Sequence, residues 1–187
     1  LSELYAPLIM PSASIETMAK TVLNQARRLT KSRLGYITSI DPTKGSTVTL
    51  DLTEKLEEQS GVVSQKKIAL PRNGNVNCHS LWEHSLNSQN PFFANSPQEH
   101  QAAAETPAGH IPIQRFLSVP IILGKKLVGQ ITLANKDKDY TDQDLAAIVR
   151  VAEFYALALQ RNKAEKALQK SKNELERRVE ERTAEIA

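Results

Sequence analysis

The segment of residues 116–144 constrains the fold of this chain more strongly than any other part of the sequence. Residues 116–123 form an apolar run of types that favour strands. Gly124-Lys125 follows and suits a two-residue type II′ turn, which prefers Gly first. Residues 127–134 alternate between two faces, with Leu127, Gly129, Ile131 and Leu133 on one and Val128, Gln130, Thr132 and Ala134 on the other. Because a period of two is typical of a half-buried antiparallel strand, the sequence predicts a β-hairpin.

A helix is predicted to begin shortly after this hairpin. Thr141 is a good N-cap residue, and Asp142 and Asp144 suit the positive end of the helix dipole. Asp144 also follows Thr141 by three positions, which is the spacing of a capping box. The apolar residues that follow recur on one side of the helix, so this side is expected to pack on the sheet.

The segments FLSVPI, LVGQITLANK and DYTDQDL resemble, in type and order, the second half of a GAF domain. Many GAF domains share a signature of Asn-Lys, a spacer, Phe, three residues and Asp-Glu. The corresponding residues are Asn135-Lys136, a spacer, Tyr140, three residues and Asp144-Leu145, with Tyr in place of Phe and Leu in place of the final acid. The longer segment PAGHIPIQRFLSVPI is still more similar to the GAF domains of prokaryotic sensor kinases.

This resemblance implies an α+β fold, related to PAS domains, with a central antiparallel sheet of five or six strands flanked by helices. The first half of the chain fits this order, because a helical pattern from Ser14 is followed by two strand patterns, at residues 34–40 and 47–52. We therefore expect a lead-in at residues 1–13, a GAF-like sensory domain at 14–160 and a coiled-coil linker helix at 161–187, ahead of an output domain.

Composition excludes several classes of function. The net charge is only +3 without a dominant basic run, so nucleic acid is not an expected partner. The single cysteine, Cys78, excludes an internal disulfide and fits a reducing, cytoplasmic compartment. No apolar run approaches the roughly 20 residues that span a bilayer, so membrane insertion is not expected. The chain begins without Met and stops inside a helical pattern, which indicates a piece of a longer protein.

Residues 161–187 are predicted to form a coiled coil. They include eight Lys or Arg and six Asp or Glu, and the apolar residues keep a heptad-compatible spacing: Leu168, Leu175, Val179 and Ile186. Lys172 and Arg182 fall on the same seam, and a solvated single helix is the alternative. The segment ELERRVEERTAEI resembles the linker after sensory domains of sensor histidine kinases, and sometimes that ahead of diguanylate cyclases. We expect a homodimer through the N- and C-terminal helices.

The resemblance does not identify a cofactor, but it brings two to be considered, bilin and haem. Cys78-His79 is similar to the Cys-His that carries a bilin in phytochrome-type GAF domains. In those domains, however, the pair lies just before the strand that corresponds to residues 116–123, where this chain has Pro-Ala-Gly-His110, so covalent bilin is not expected. His110 borders the family's ligand cavity and is a candidate haem ligand. The alternatives are a small unreactive thiol at Cys78 and a histidine that fixes its loop by hydrogen bonds at His110.

Five residues are expected to border the cavity and are the candidate cofactor-binding residues: His110, Cys78, Trp82, Phe93 and Phe116. No His/Cys cluster has the spacing of a zinc site, so a metal is not expected. Catalysis is not expected either. The GAF-fold methionine sulfoxide reductases need a second cysteine to resolve a sulfenic acid, and no G-x-S-x-G, phosphate-binding loop or HExxH is present.

The sequence thus predicts a regulatory domain, most similar to the input domain of a sensor histidine kinase, in which a ligand changes the packing of paired helices. The alternatives are a ligand-free module that couples neighbouring domains, the input domain of a diguanylate cyclase, and redox sensing through Cys78.

Overall fold

The computed structural model describes residues 14–40, 47–52, 69–70, 81–100 and 112–186, with the backbone alone for 47–52, 69–70, 82–83 and 185–186. In chain order the elements are α1 (Ile15–Thr30), β1 (Ser32–Ile40), β2 (Thr47–Leu52), β3 (Ala69–Leu70), α2 (Leu81–Ser88), β4 (Phe92–Ala94), a short 3-10 turn (Pro97–Glu99), β5 (Phe116–Leu123), β6 (Lys126–Lys136) and α3 (Asp142–Ile186). Ser14 caps α1, because its hydroxyl oxygen accepts a hydrogen bond from the amide of Thr17 at 3.1 Å.

The described strands form one six-stranded sheet in the order β3-β2-β1-β6-β5-β4. All five neighbouring pairs are antiparallel. The predicted hairpin of β5 and β6 is confirmed, with Leu123 opposite Lys126 and Gly124 at φ +64° in the two-residue turn. The predicted α+β fold with a central antiparallel sheet is therefore confirmed.

The predicted alternation in β6 is wrong at Val128. The register between β5 and β6 shifts by one residue, since Ile121 lies opposite Gly129 but Ile122 lies opposite Leu127. Val128 is the extra residue of a β-bulge. It packs against the core between the sheet and the helices α1 and α3, whereas strict alternation predicts that it shares the face of Gln130. A bulge changes the side to which a side chain points without changing the residue types, so the period of two did not reveal it.

The main core lies between one face of the sheet and the pair α1 and α3, and we call it the helix-side core. The strands contribute alternate residues of β5 and β6, and the helices contribute one apolar side each; its fully buried members include Met18, Leu23, Ile37, Leu117, Ile131, Leu133, Ile148 and Tyr155. This packing fixes the first half of α3 against the sheet.

Helix α3 is 45 residues long and continues far beyond this core. From residue 163 to 184 its side chains are exposed or half-buried. Ion pairs along the helix support this part, including the predicted pair of Glu174 and Arg178, with 3.0 Å between Oε1 and Nε. Among the described residues, no helix has both the length and the apolar character to cross a membrane.

Candidate functional site

The face of the sheet opposite the helix-side core carries a buried row of polar side chains, which we call the site face. Thr38, Ser118, Gln130 and Thr132 are each at most 1% exposed, and Tyr36 is 6% exposed. They lie side by side because Tyr36 and Ser118 are both opposite Thr132, and Thr38 is opposite Gln130. Polar side chains rarely cluster inside a sheet unless they bond to one another or to something else.

Helix α2 lies against this row and is hydrogen-bonded to it through the hydroxyl of Ser85. The Oγ atoms of Ser85, on α2, and Ser118 are hydrogen-bonded at 2.7 Å. The Ser85 hydroxyl also donates to Oε1 of Gln130 at 3.1 Å, and Gln130 Nε2 donates to the Tyr36 hydroxyl at 3.0 Å. The Ser118 and Thr132 hydroxyls lie 3.2 Å apart. Three strands and a helix therefore share one network.

The network is uncharged. Burial raises the pKa of Tyr36 well above its ordinary value, and the hydrogen bonds with Thr132 and Gln130 only partly offset that effect. The Thr38 hydroxyl is buried and has no hydrogen-bond partner within the part of the chain that the structure describes. The described site face can therefore recognise a molecule by neutral hydrogen bonds, and its groups are unsuited to acid–base catalysis.

Aromatic rings border the site face near β4. Phe92 lies 5.6 Å from Phe116 between ring centroids, and it also contacts His84 of α2 and His100 after the 3-10 turn. Burial and the neighbouring His84 lower the pKa of His100, so its neutral imidazole is favoured. This border is aromatic and consists of phenylalanine and histidine rings, whereas the row beside it carries hydroxyl and amide groups.

The five predicted site residues do not all lie at the site face. Phe116 is fully buried and contacts Phe92 at the border of the site face. Phe93 packs against the helix-side core, so Phe92 is the residue of β4 that lies towards the site face. Trp82 belongs to α2, but its side chain is outside the described part of the molecule, as are Cys78 and His110.

The sequence-based prediction missed the polar row and Ser85. The available signal was polar residues at every second position of strands that are otherwise apolar, which are Tyr36 and Thr38, Ser118, and Gln130 and Thr132. Such a pattern usually indicates a solvated face, whereas these side chains are buried.

The residues of the predicted signature lie at the junction between the sheet and α3. Lys136 Nζ is 2.5 Å from Oδ2 of Asp144, and both side chains are largely buried. The same oxygen accepts hydrogen bonds from the amide and the hydroxyl of Thr141, each at 2.9 Å, and the Thr141 hydroxyl oxygen accepts one from the amide of Asp144. This is the predicted capping box with an ion pair added.

Tyr140 connects this junction to the rest of the domain. Its hydroxyl lies 2.7 Å from that of Ser32, which lies 2.6 Å from that of Thr30 at the end of α1. Asn95, directly after β4, binds the Tyr140 backbone twice: Oδ1 accepts from its amide at 2.8 Å and Nδ2 donates to its carbonyl at 3.1 Å. The signature therefore fixes where and in which direction α3 begins.

Residues 12–160 match the family model described as GAF domain. The chain belongs to the GAF domain family. GAF domains are sensory modules of signalling proteins. The resemblance to GAF domains that the sequence indicated is confirmed by this match and by solved GAF structures. The chain is also 25% identical over 173 residues to the methyl sulfide methyltransferase-associated sensor of Methanosarcina acetivorans. That match covers 92% of this chain and only 17% of the relative's length.

Two solved structures illustrate the likeness in fold. The GAF domain from a phosphoenolpyruvate-protein phosphotransferase of Coxiella burnetii has a TM-score of 0.66 and 17% identity, with 89% of this chain and 98% of that chain covered. A domain ascribed to a two-component sensor histidine kinase of Sinorhizobium meliloti has a TM-score of 0.61 and 15% identity, with 84% and 99% covered. At these identities the likeness concerns the fold alone.

The polar row of the site face does not offer an axial ligand for haem iron. Haem iron takes an axial His, Cys, Met or Tyr, and the described row offers hydroxyls, one amide and a single phenol. That phenol, Tyr36, accepts a hydrogen bond from Gln130, and its raised pKa keeps it neutral. His110 and Cys78, the sequence-based candidates, lie outside the described residues.

The capping box of the GAF signature predicts a specific dependence of stability on pH. Burial opposes ionisation of Asp144, but the hydrogen bonds from Lys136 and Thr141 together outweigh it and hold the pKa of this carboxyl below its usual range. A depressed pKa contributes stability above the unfolded-state pKa of about 3.9, and this contribution is lost as the pH falls through the folded-state pKa. At pH 7 we expect Asp144→Asn to lower the free energy of unfolding by about 1–2 kcal/mol.

Urea denaturation of the wild type and Asp144→Asn at a series of pH values between 7 and 3 would check this. The difference between the two should shrink below about pH 4. Asp142→Asn, which changes an exposed acid in the same turn, serves as the control. A difference for Asp144→Asn that does not change with pH would contradict the assignment.

Proposed function

We propose that this GAF domain is the input domain of a sensor histidine kinase and that a small molecule bound at the site face controls the packing of α3. The observation that carries the proposal is the buried polar network that joins Ser85 of α2 to Gln130 and Ser118 of the sheet. A short helix held over a polar row can exchange these hydrogen bonds for bonds to a ligand. Phe92 and Phe116 would then form the apolar border of the ligand site.

A route from the site face to α3 runs through β4. Phe92 lies at the border of the site face, and Asn95, three residues later, holds the backbone of Tyr140 just before α3 begins. A ligand that moves α2 or Phe92 therefore also moves the point from which α3 starts. Two packings that differ by a few kcal/mol suffice for such a switch, provided that the ligand binds one of them better.

The signal leaves the domain along α3. In this proposal residues 14–160 form the sensor and residues 161–187 form a linker that pairs with the same helix of a second copy, with α1 beside it. The supporting observation is a stripe of exposed large apolar side chains on α3: Leu157, Leu168, Leu175 and Val179. A cytoplasmic kinase agrees with the single cysteine and with the linker-like segment, and a diguanylate cyclase is the alternative output.

The proposal is tested by native mass spectrometry and an absorbance scan of freshly purified protein. We expect a retained small mass or a chromophore band in the wild type, and its loss in Gln130→Leu, which removes the amide from the centre of the network. Ile131→Val, on the next residue of β6 but in the helix-side core, is the matched control and should retain the ligand. Each variant's circular dichroism and melting temperature would show that it is folded.

A second function is favoured by one specific observation. The hydroxyls and the amide of the row already bond to one another, and among the described side chains of this row only Thr38 has an unpaired hydroxyl. This arrangement also suits a ligand-free module that couples neighbouring domains. In that case no mass is retained, and Gln130→Leu lowers stability by about 1–3 kcal/mol because the bonds of Tyr36 and Ser85 are lost.

A further inference from the structure

Two histidines from different segments lie side by side next to the site face. His84 is in α2, and His100 follows the 3-10 turn after β4. Their ring centroids are 5.0 Å apart and their planes are inclined by 76°. Phe92 contacts both rings, at 4.8 Å from His84 and 5.4 Å from His100. We call His84 and His100 the histidine pair.

The spacing of the histidine pair matches that of two imidazoles on one metal ion. With Zn–N bonds of about 2.0–2.1 Å and tetrahedral angles, two coordinating rings hold their centroids about 5 Å apart. Only side-chain rotation is then needed to point one nitrogen of each ring at a common position. His84 is exposed and His100 is half-exposed, so an ion from solvent can reach both.

We propose that His84 and His100 bind a divalent transition-metal ion, with Zn²⁺ as the representative. Imidazole is a ligand that suits zinc, copper and nickel, whereas magnesium and calcium prefer oxygen. The described residues include no group of three or more potential metal ligands, so the described part of the chain supplies two ligands to the ion. The affinity of this site is therefore weaker than that of structural zinc sites, which have four protein ligands.

Such an ion would fix α2 in place. His84 directly precedes Ser85, whose hydroxyl holds α2 to the sheet, and His100 is connected through the 3-10 turn to β4. A metal bridge between the histidines therefore ties the helix that covers the site face to the sheet edge beside it. This effect concerns α2 itself and does not depend on the identity of a ligand at the site face.

The test is isothermal titration calorimetry of tag-free, chelator-treated protein with ZnCl₂. We expect one Zn²⁺ per chain and no binding of Mg²⁺. Because anything that binds the native state alone stabilises it, we also expect a melting temperature that rises by a few degrees with excess Zn²⁺. The chain has four histidines, so His79→Ala and His110→Ala are measured alongside to establish what the other two contribute to Zn²⁺ binding.

The decisive variants are His84→Phe and His100→Phe. Phe keeps a ring against Phe92 but has no nitrogen, so the fold is retained, as circular dichroism would verify, while the ligand is lost. Each variant should weaken Zn²⁺ binding at least about ten-fold, since one of two protein ligands is removed. Wild-type protein that does not bind Zn²⁺, a Phe variant that binds as tightly as the wild type, or equal losses in all four histidine variants would each overturn the proposal.

Discussion

Gly129→Ala is expected to destabilise this domain strongly, with a loss of at least about 3 kcal/mol in the free energy of unfolding. A Cβ atom at this position would lie 2.0 Å from the carbonyl oxygen of Thr38, 3.0 Å from its carbonyl carbon and 3.2 Å from Cα of Ser39. All three are backbone atoms of β1, which pairs with β6 at this point. Since no side-chain rotation relieves this contact, the two strands must separate.

Two other glycines of the described part, Gly124 and Gly35, provide the controls. Gly124→Ala meets no atom within 4 Å but sits at φ +64°, so its cost is the conformational strain of about 1 kcal/mol. Gly35→Ala would approach Leu133 Cδ2 at 2.9 Å and Leu23 Cδ1 at 3.0 Å, which are side-chain ends that can shift. Its Cβ would also lie 3.1 Å from a backbone oxygen, so an intermediate cost is expected.

Urea denaturation of the three variants would give the order Gly129→Ala, Gly35→Ala and Gly124→Ala, from most to least destabilised. A loss at Gly129 no larger than that at Gly124 would show that β1 and β6 are farther apart than the structure has them. Domains of this kind have a total stability of about 5–15 kcal/mol, so the expected loss also lowers the yield of folded protein.

The fold could be predicted where the signals are local. The hairpin depends on Gly124-Lys125 and on alternation within a few residues, and the start of α3 depends on Thr141 and Asp144 in one turn. The bulge at Val128 could not be predicted, because it arises from how β6 aligns with its neighbours rather than from its own residue types.

The candidate site depends almost entirely on tertiary structure. In the sequence, Gln130 is indistinguishable from an ordinary polar residue of a strand. Its role depends on α2, which brings Ser85, 45 positions earlier, within hydrogen-bond distance. His84 and His100 are 16 positions apart, a separation that fits no zinc motif, and become neighbours because β4 folds back beside α2. Phe93 and Phe92 differ by one position, so a small error in strand register decides which of them is assigned to the site face.

Leu168→Glu and Leu175→Glu are expected to convert a dimer of this chain into monomers. The four residues Leu157, Leu168, Leu175 and Val179 are 59–72% exposed. With about 100° per residue they fall within about 40° of one another, in a stripe about 33 Å long. An apolar stripe of this width is that of a two-stranded coiled coil, and no other described part of the chain covers it.

Each Glu would place a charge in the apolar seam of both helices, so we expect the dimer dissociation constant to rise by at least about 100-fold, or about 2.7 kcal/mol. Sedimentation equilibrium over a range of concentrations measures it. Asn173→Glu adds the same charge on the opposite side of α3 and should leave the dimer intact, since Asn173 is exposed and bonds only within the helix to Gln169. The helix-side core holds α3 independently of this stripe, so the monomers should keep their melting temperature at low concentration. A wild-type chain that stays monomeric at the highest concentration, or Glu variants that dimerise as the wild type does, would assign the stripe to another partner and remove the pairing on which the proposed switch depends.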